Sequence, residues 1–176
     1  GYGRGDTLHS NGYFQFADAA TPHVSLLTNG SFETTSTPLP DGAALYITAN
    51  LVTGWTSTNT FEVWRDQGGT DGRNIVEVDA GNGTYAQMLH TTAGQTYGLA
   101  FDLAGRSGSV ASSKVEVVWN GQVVTTATPT DTAFHNYHVN LIGTGHDTLE
   151  FRSVAGDTDS VGGLLDNVVL HDHAVA

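Results

Sequence analysis

Two carboxylates sit in places where a carboxylate is costly. Glu33 closes the segment Asn29-Gly30-Ser31-Phe32-Glu33, and Asp166 lies within Leu164-Leu165-Asp166-Asn167-Val168-Val169-Leu170, one near each end of the chain. Both contexts are apolar and strand-like. A carboxylate beside an apolar core needs a proton, a hydrogen-bonded partner or a metal ion. If the first and last strands run side by side, Glu33 and Asp166 meet. A hard cation with oxygen ligands, calcium above all, is then the simplest shared partner. The alternative is that each carboxylate caps a turn by accepting backbone N–H groups.

A second set of residues has the chemistry of sugar recognition. Sugars stack their C–H faces on aromatic rings and give their hydroxyls to planar polar groups. Trp64-Arg65-Asp66-Gln67 is the best local cluster, ending a strand and entering a Gly-rich loop. Tyr85 and Gln87 share one side of another strand, and a polar strand face is expected from Asp102, Glu116, His138, Glu150 and Arg152. Glu116 and Glu150 also suggest a glycosidase pair, which needs two carboxyl groups roughly 5–10 Å apart. The simpler reading is a solvent-facing pair neutralised by Arg152. Gly-x-Ser-x-Gly, His-Glu-x-x-His and phosphate-loop patterns are missing from the chain, so catalysis is not expected. His171-Asp172-His173 has the spacing of a zinc or nickel chelate on an extended chain but reads more simply as a solvated tail. Gly156-Asp157-Thr158-Asp159-Ser160 lacks the glycine and distal glutamate of an EF-hand loop and reads as a polar turn.

The elements that must position these residues are strands. Phe61–Trp64, Ile75–Val78, Gln95–Leu103, Lys114–Trp119, Tyr137–Leu141 and Leu149–Arg152 all alternate apolar and polar side chains. Asn120-Gly121, between two such runs, predicts a hairpin. Trp55 and Trp119 each cap an apolar run and are expected in the core. Short strands at regular spacing with one apolar face predict an antiparallel β-sandwich or jelly roll. One sandwich domain is expected over residues 24–176, with residues 1–23 as an extension or an added edge strand. The chain carries 6 Lys and Arg against 18 Asp and Glu, a net charge of −12. Such a charge disfavours nucleic acid as a partner and suits divalent cations. There is no cysteine and no apolar run of membrane-spanning length. The chain opens on Gly1 rather than Met, as expected of an excised or processed piece.

The order of these motifs resembles a known group. Asn29-Gly30-Ser31-Phe32-Glu33, then Gly54-Trp55, Phe61–Trp64, Asp71-Gly72-Arg73-Asn74, Gly94–Tyr97 and Leu165–Val168 are similar to the galactose-binding-like β-sandwiches. Closest are carbohydrate-binding modules of the family 4/9/22 type and related "NGxFE" domains of bacterial secreted proteins and calcium-dependent adhesins. The resemblance spans about residues 24–171. It implies a structural calcium held by a Ser31 carbonyl, the carboxylates of Glu33, Asp71 and Asp166, and Asn74. It also implies a glycan face on one sheet, with Tyr85 and Arg152 near such positions, although this chain offers fewer aromatic residues there. The expected function is a non-catalytic, lectin-like module of a larger extracellular bacterial protein, binding a polysaccharide or cell-surface glycan. A spacer or adhesion module that binds no glycan is the alternative.

Overall fold

The computed structural model describes residues 25–42, 44–48, 51–81, 83–157 and 159–176. The expected extension over residues 1–23 therefore lies outside the described residues. In chain order the strands are β1 (Ala44–Thr48), β2 (Thr56–Ser57), β3 (Thr60–Arg65), β4 (Asn74–Val78), β5 (Tyr85–His90) and β6 (Thr96–Ala104). They are followed by β7 (Val115–Trp119), β8 (Gln122–Ala127), β9 (His135–Ile142), β10 (His146–Ser153) and β11 (Gly163–His171). A six-stranded sheet, β1-β3-β4-β11-β6-β9, packs on a five-stranded sheet, β2-β5-β10-β7-β8. Every named pairing is antiparallel. The fold is the expected antiparallel β-sandwich.

Period-two alternation explains why these segments are strands. On β6, Tyr97, Leu99, Phe101 and Leu103 are buried, while Ala100 and Asp102 point the other way and are half-exposed. Across the gap, Leu149 and Phe151 of β10 are fully buried. Aromatic rings bridge the two sheets: Phe32–Trp55, Trp55–Phe151 and Phe151–Phe101 centroids lie 5.3, 6.2 and 5.2 Å apart. Each such side chain contributes on the order of 2–3 kcal/mol by leaving water. Trp55 and Trp119 belong to this core, as expected. Asn120 and Gly121 both have positive φ, 51° and 80°, which is the mirror-image turn that matches the twist of the β7–β8 hairpin.

The Asn29–Glu33 segment is placed against the last strand. The Leu26 N–H donates to the Leu170 carbonyl at 3.0 Å, and the Val168 N–H to the Gly30 carbonyl at 2.9 Å. Glycine is required at 30, because a Cβ there would stand 1.9 Å from the Val168 carbonyl oxygen. Asn29 adopts φ 54°, and its side-chain amide bonds Thr34 and the Thr53 carbonyl. Phe32 enters the core, which leaves Glu33 at the rim. After β11 the chain turns back along the sheet: Asn140 and Val175 exchange two hydrogen bonds, at 2.8 and 3.0 Å.

Candidate functional site

Glu33 and Asp166 each reach the loop between β3 and β4 and cap it by accepting its backbone N–H groups. Glu33 Oε1 accepts the N–H groups of Arg73, at 2.7 Å, and Asn74, at 2.5 Å. Asp166 Oδ2 accepts the N–H groups of Thr70, at 2.8 Å, and Asp71, at 3.0 Å, and its Oδ1 accepts the Asn167 N–H at 2.7 Å. Gly72, with φ 91°, passes so close to Glu33 that a Cβ would lie 2.6 Å from the carboxylate carbon. A β-bulge between Asp166 and Val169, with Asn167 at φ 51°, aims the Asp166 side chain at the loop. Asp166 is fully buried. Burial pushes its pKa up to about 6 against the lowering effect of the backbone N–H groups, and nearby Asp71 adds to the rise.

The five residues of the implied calcium site are thus gathered unevenly. Asn74 is buried beside Glu33, its side-chain N–H donating to the Phe32 carbonyl at 2.9 Å. Ser31 is half-buried, and Asp71 is exposed. The oxygens of Glu33, Asp71 and Asp166 do not all come within 4.8 Å of one another. No Lys, Arg or His pairs with Asp166 among the described residues. Oxygen donors and a buried carboxylate with no cationic side chain beside it are the chemistry that suits a hard ion, but the three-carboxylate shell that the resemblance implies does not form.

The loop itself is held at the surface by Arg73, whose guanidinium reaches Asp66 at 2.6 Å and Asp41 at 2.8 Å. Arg73 in turn holds the Asp66 carboxyl below the usual range. Arg65 is committed to the same network, 3.4 Å from both Asp41 and Asn74 Oδ1. Trp64 is partly exposed on the outer face of the six-stranded sheet. Its indole N–H donates to Glu62 Oε1 at 3.0 Å, and the Arg106 guanidinium covers one ring face at 4.3 Å. Only the other ring face is left for a sugar.

Two of the sugar-binding expectations are corrected. Tyr85 and Gln87 share one side of β5, but that side is the core. Tyr85 is fully buried, stacked on Phe61 at 4.2 Å, and its hydroxyl donates to the Glu77 carbonyl and accepts the Glu62 N–H. Gln87 is buried and clamps Thr28, accepting its N–H at 2.8 Å and donating to its carbonyl at 2.9 Å. Tyr85→Phe should therefore cost about 1–3 kcal/mol of stability by leaving buried backbone groups unpaired. A thermal melt would register that loss, and glycan binding should not change. The expected single polar face is also divided. Asp102 and His138 belong to β6 and β9 of one sheet, whereas Glu116, Glu150 and Arg152 belong to β7 and β10 of the other. Outer faces of a sandwich look in opposite directions, so these residues cannot grip one ligand.

What remains together is a cleft on the five-stranded sheet. Arg152 Nε donates to Glu116 Oε2 at 2.7 Å across the β10–β7 register. An open cleft of about 520 Å³ runs past this pair, lined also by Thr84, Ser153 and Asp157. Asp157, in the same lining, has its Oδ2 buried without a hydrogen-bond partner. Glu150 lies two residues from Arg152 on the same outward face of β10.

One cluster escaped the sequence reading. Glu62, Glu77 and Asp79 are all buried, with one oxygen of each within 4.8 Å of the others. Glu62 and Glu77 are register partners on β3 and β4. Burial pushes the Glu77 pKa up to about 7; the Gly162 N–H pulls it down, Glu62 pushes it up and Arg106 pulls it down. Arg106 stands 3.2 Å from Glu77 and supplies positive charge to the group. Only the β3–β4 register could have revealed this cluster, because each glutamate taken alone looks like an ordinary outward strand residue.

Comparison with known proteins places the chain. A segment is 30% identical over 125 residues to the multifunctional-autoprocessing repeats-in-toxin of Vibrio cholerae, and 31% identical over 125 residues to that of Vibrio vulnificus. Each match covers 66% of this chain but only 3% and 2% of the toxins. Among solved structures, a family 35 carbohydrate-binding module from Clostridium thermocellum superposes with a TM-score of 0.53 at 15% identity, over 67% of this chain and 92% of that one. An arabinose-bound α-L-arabinofuranosidase gives a TM-score of 0.55 at 14% identity, over 85% of this chain and 26% of that one. These likenesses establish the β-sandwich fold shared with carbohydrate-binding modules. Residues 25–171 match the family described as DUF642, protein of unknown function, and the chain belongs to that family.

Proposed function

We propose that this domain is a non-catalytic carbohydrate-binding module of a larger extracellular protein. The cleft at Glu116 and Arg152 carries the reading. A planar guanidinium, two carboxylates and small hydroxyl residues on a sheet surface supply paired donors and acceptors for sugar hydroxyls. The fold shared with a carbohydrate-binding module supports it, as does the similarity to a short part of two very large bacterial toxins. The non-catalytic reading has its own support. A glycosidase keeps one carboxyl protonated near neutral pH within reach of its substrate. Among the described residues the carboxyls raised in this way are Glu77 and Asp166, which are 1% and 0% exposed and bonded to backbone N–H groups within the fold.

Calcium belongs to the same reading as a stabiliser, held by Glu33 and Asp166 where the first segment, the loop and β11 join. When bound, it would supply the positive charge that Asp166 lacks.

A glycan array probed with the whole protein tests the binding. Arg152→Ala and Glu116→Gln should each lose roughly ten-fold or more in affinity, about 1.4 kcal/mol. Neither should move the melt by more than a partly exposed ion pair is worth, roughly 0–1 kcal/mol. Full retention of binding in both variants would move the site elsewhere, with the free ring face of Trp64 next in line. Release of reducing ends from a bound glycan would replace the module with an enzyme.

A further inference from the structure

The five-stranded sheet carries a pair of imidazoles that neither the cleft nor the loop clamp uses. His90, the last residue of β5, and His146, the first of β10, are direct register partners. Both are exposed on the outer face, because Leu89 and Asp147 beside them turn inward. Their ring centroids lie 4.7 Å apart with the planes at 73°.

The backbone under the pair is fixed by a buried knot. The Thr91 N–H donates to the Gly145 carbonyl at 3.0 Å, and the Gly145 N–H to Thr91 Oγ1 at 3.0 Å. Asp147 accepts from the Thr91 hydroxyl, from Asn120 Nδ2 at 2.6 Å, from the Thr144 N–H at 3.0 Å and from the Thr144 hydroxyl at 2.6 Å. The residues next to each histidine, Thr91 on one strand and Gly145 and Asp147 on the other, are thus tied together. The two imidazoles are held opposite each other by the scaffold rather than by their own contact.

We propose that His90 and His146 form a surface site for a divalent transition-metal ion, with copper(II) bound most tightly. A metal–nitrogen distance of about 2.0–2.1 Å lets one ion bridge two rings this close after side-chain rotation alone. Imidazole ligands suit copper, nickel and zinc, and affinity for such a site peaks at copper. Water fills the remaining positions, because no third His, Cys, Asp or Glu joins the pair among the described residues. The net charge of −12 favours a cation at the surface. The site is independent of glycan binding, and its nitrogen ligands separate it from any calcium site.

The test is titration of the whole protein with copper(II) chloride, and separately with nickel(II) chloride, followed by calorimetry and by electron paramagnetic resonance of the copper form. One tight copper should bind per chain, more tightly than nickel, with the spectral signature of two imidazole nitrogens. Losing a ligand should cost at least the roughly 10- to 100-fold that outer-shell changes cost, so His90→Asn and His146→Asn should each weaken binding by that much. The double variant should bind no tight copper. His171→Asn combined with His173→Asn, at the other close ring pair, 5.2 Å apart, should leave the tight site untouched. Unchanged tight binding in the His90/His146 double variant would overturn the assignment, as would its loss in the His171/His173 control.

Discussion

Asp166→Ala should lower the melting temperature of this domain by roughly 10 °C. The substitution leaves the N–H groups of Thr70, Asp71 and Asn167 without their acceptor. Stranding a fully buried donor costs about 1–3 kcal/mol; these three are only partly buried, so together they cost on the order of 3–5 kcal/mol, the low end of that range. A domain of this size moves about 2–4 °C per kcal/mol. Asp166→Asn should fall between the two, since its amide oxygen can still serve Thr70 and Asp71. The same variant isolates the calcium reading. An ion that binds only the folded chain adds about 2.7 kcal/mol at a hundredfold excess over its Kd. Wild-type protein should therefore melt higher in calcium than in chelator, and Asp166→Ala should show no such difference. A wild-type melt unmoved by chelator, after verified metal removal, would leave the loop clamp standing and discard the ion.

The second large effect is a stability that rises on mild acidification. Glu77 has its pKa raised from the ordinary 4.5 to about 7, chiefly by burial. Facing it are Glu62 from β3, Asp79 at the end of β4, Arg106 after β6 and the Tyr85 hydroxyl from β5. The folded state holds this proton more tightly than the unfolded state does. Its stabilising contribution is thus complete below about pH 4.5 and is lost as pH climbs through about 7. Each tenfold gain in proton affinity on folding contributes about 1.4 kcal/mol, so the whole effect is on the order of 3 kcal/mol. In chelator, melts from pH 8 to pH 5 should move upward, and Glu77→Gln should be the more stable protein at pH 8. That variant should retain only the smaller slope belonging to Asp166, which is raised in the same direction. Parallel pH profiles for wild type and Glu77→Gln would show that the proton resides elsewhere.

The strands were legible because the chain alternates cleanly. Phe61–Trp64, Ile75–Val78 and Lys114–Trp119 all fall in strands within a residue or two of their expected limits. The Asn120-Gly121 turn announced both hairpin and register. Ala44–Thr48 and Thr56–Ser57 went unread, the second being only two residues long. Motif order pointed Glu33 and Asp166 toward one region, and both do bond the β3–β4 loop. Which oxygens the loop amides would occupy was not, because that depends on backbone direction in an irregular segment. Tyr85 and Gln87 show the limit of alternation as a guide. It says that two residues share a side of a strand but not which side is the core, when both sides carry polar atoms. Asp102 and His138 show another limit. Sheet membership is set by long-range pairing, which no local pattern encodes.

The pairing of the first described segment with β11 has a mechanical side. Leu26 bonds Leu170, and Val168 bonds Gly30, so residues 25 and 171 lie next to each other at one end of the same antiparallel pair. Tension transmitted through those two points pulls the first segment away from β11 one hydrogen bond after the other, instead of shearing a whole row at once. Such an arrangement yields by peeling, at low force and over a short distance. Within a long extracellular chain it would make this domain a side branch that adds almost nothing to contour length while folded. Loaded from the C-terminal side, its opening would begin at the Val175–Asn140 bonds and continue at Leu26 and Gly30, before either the cleft on β10 or the imidazole pair is disturbed.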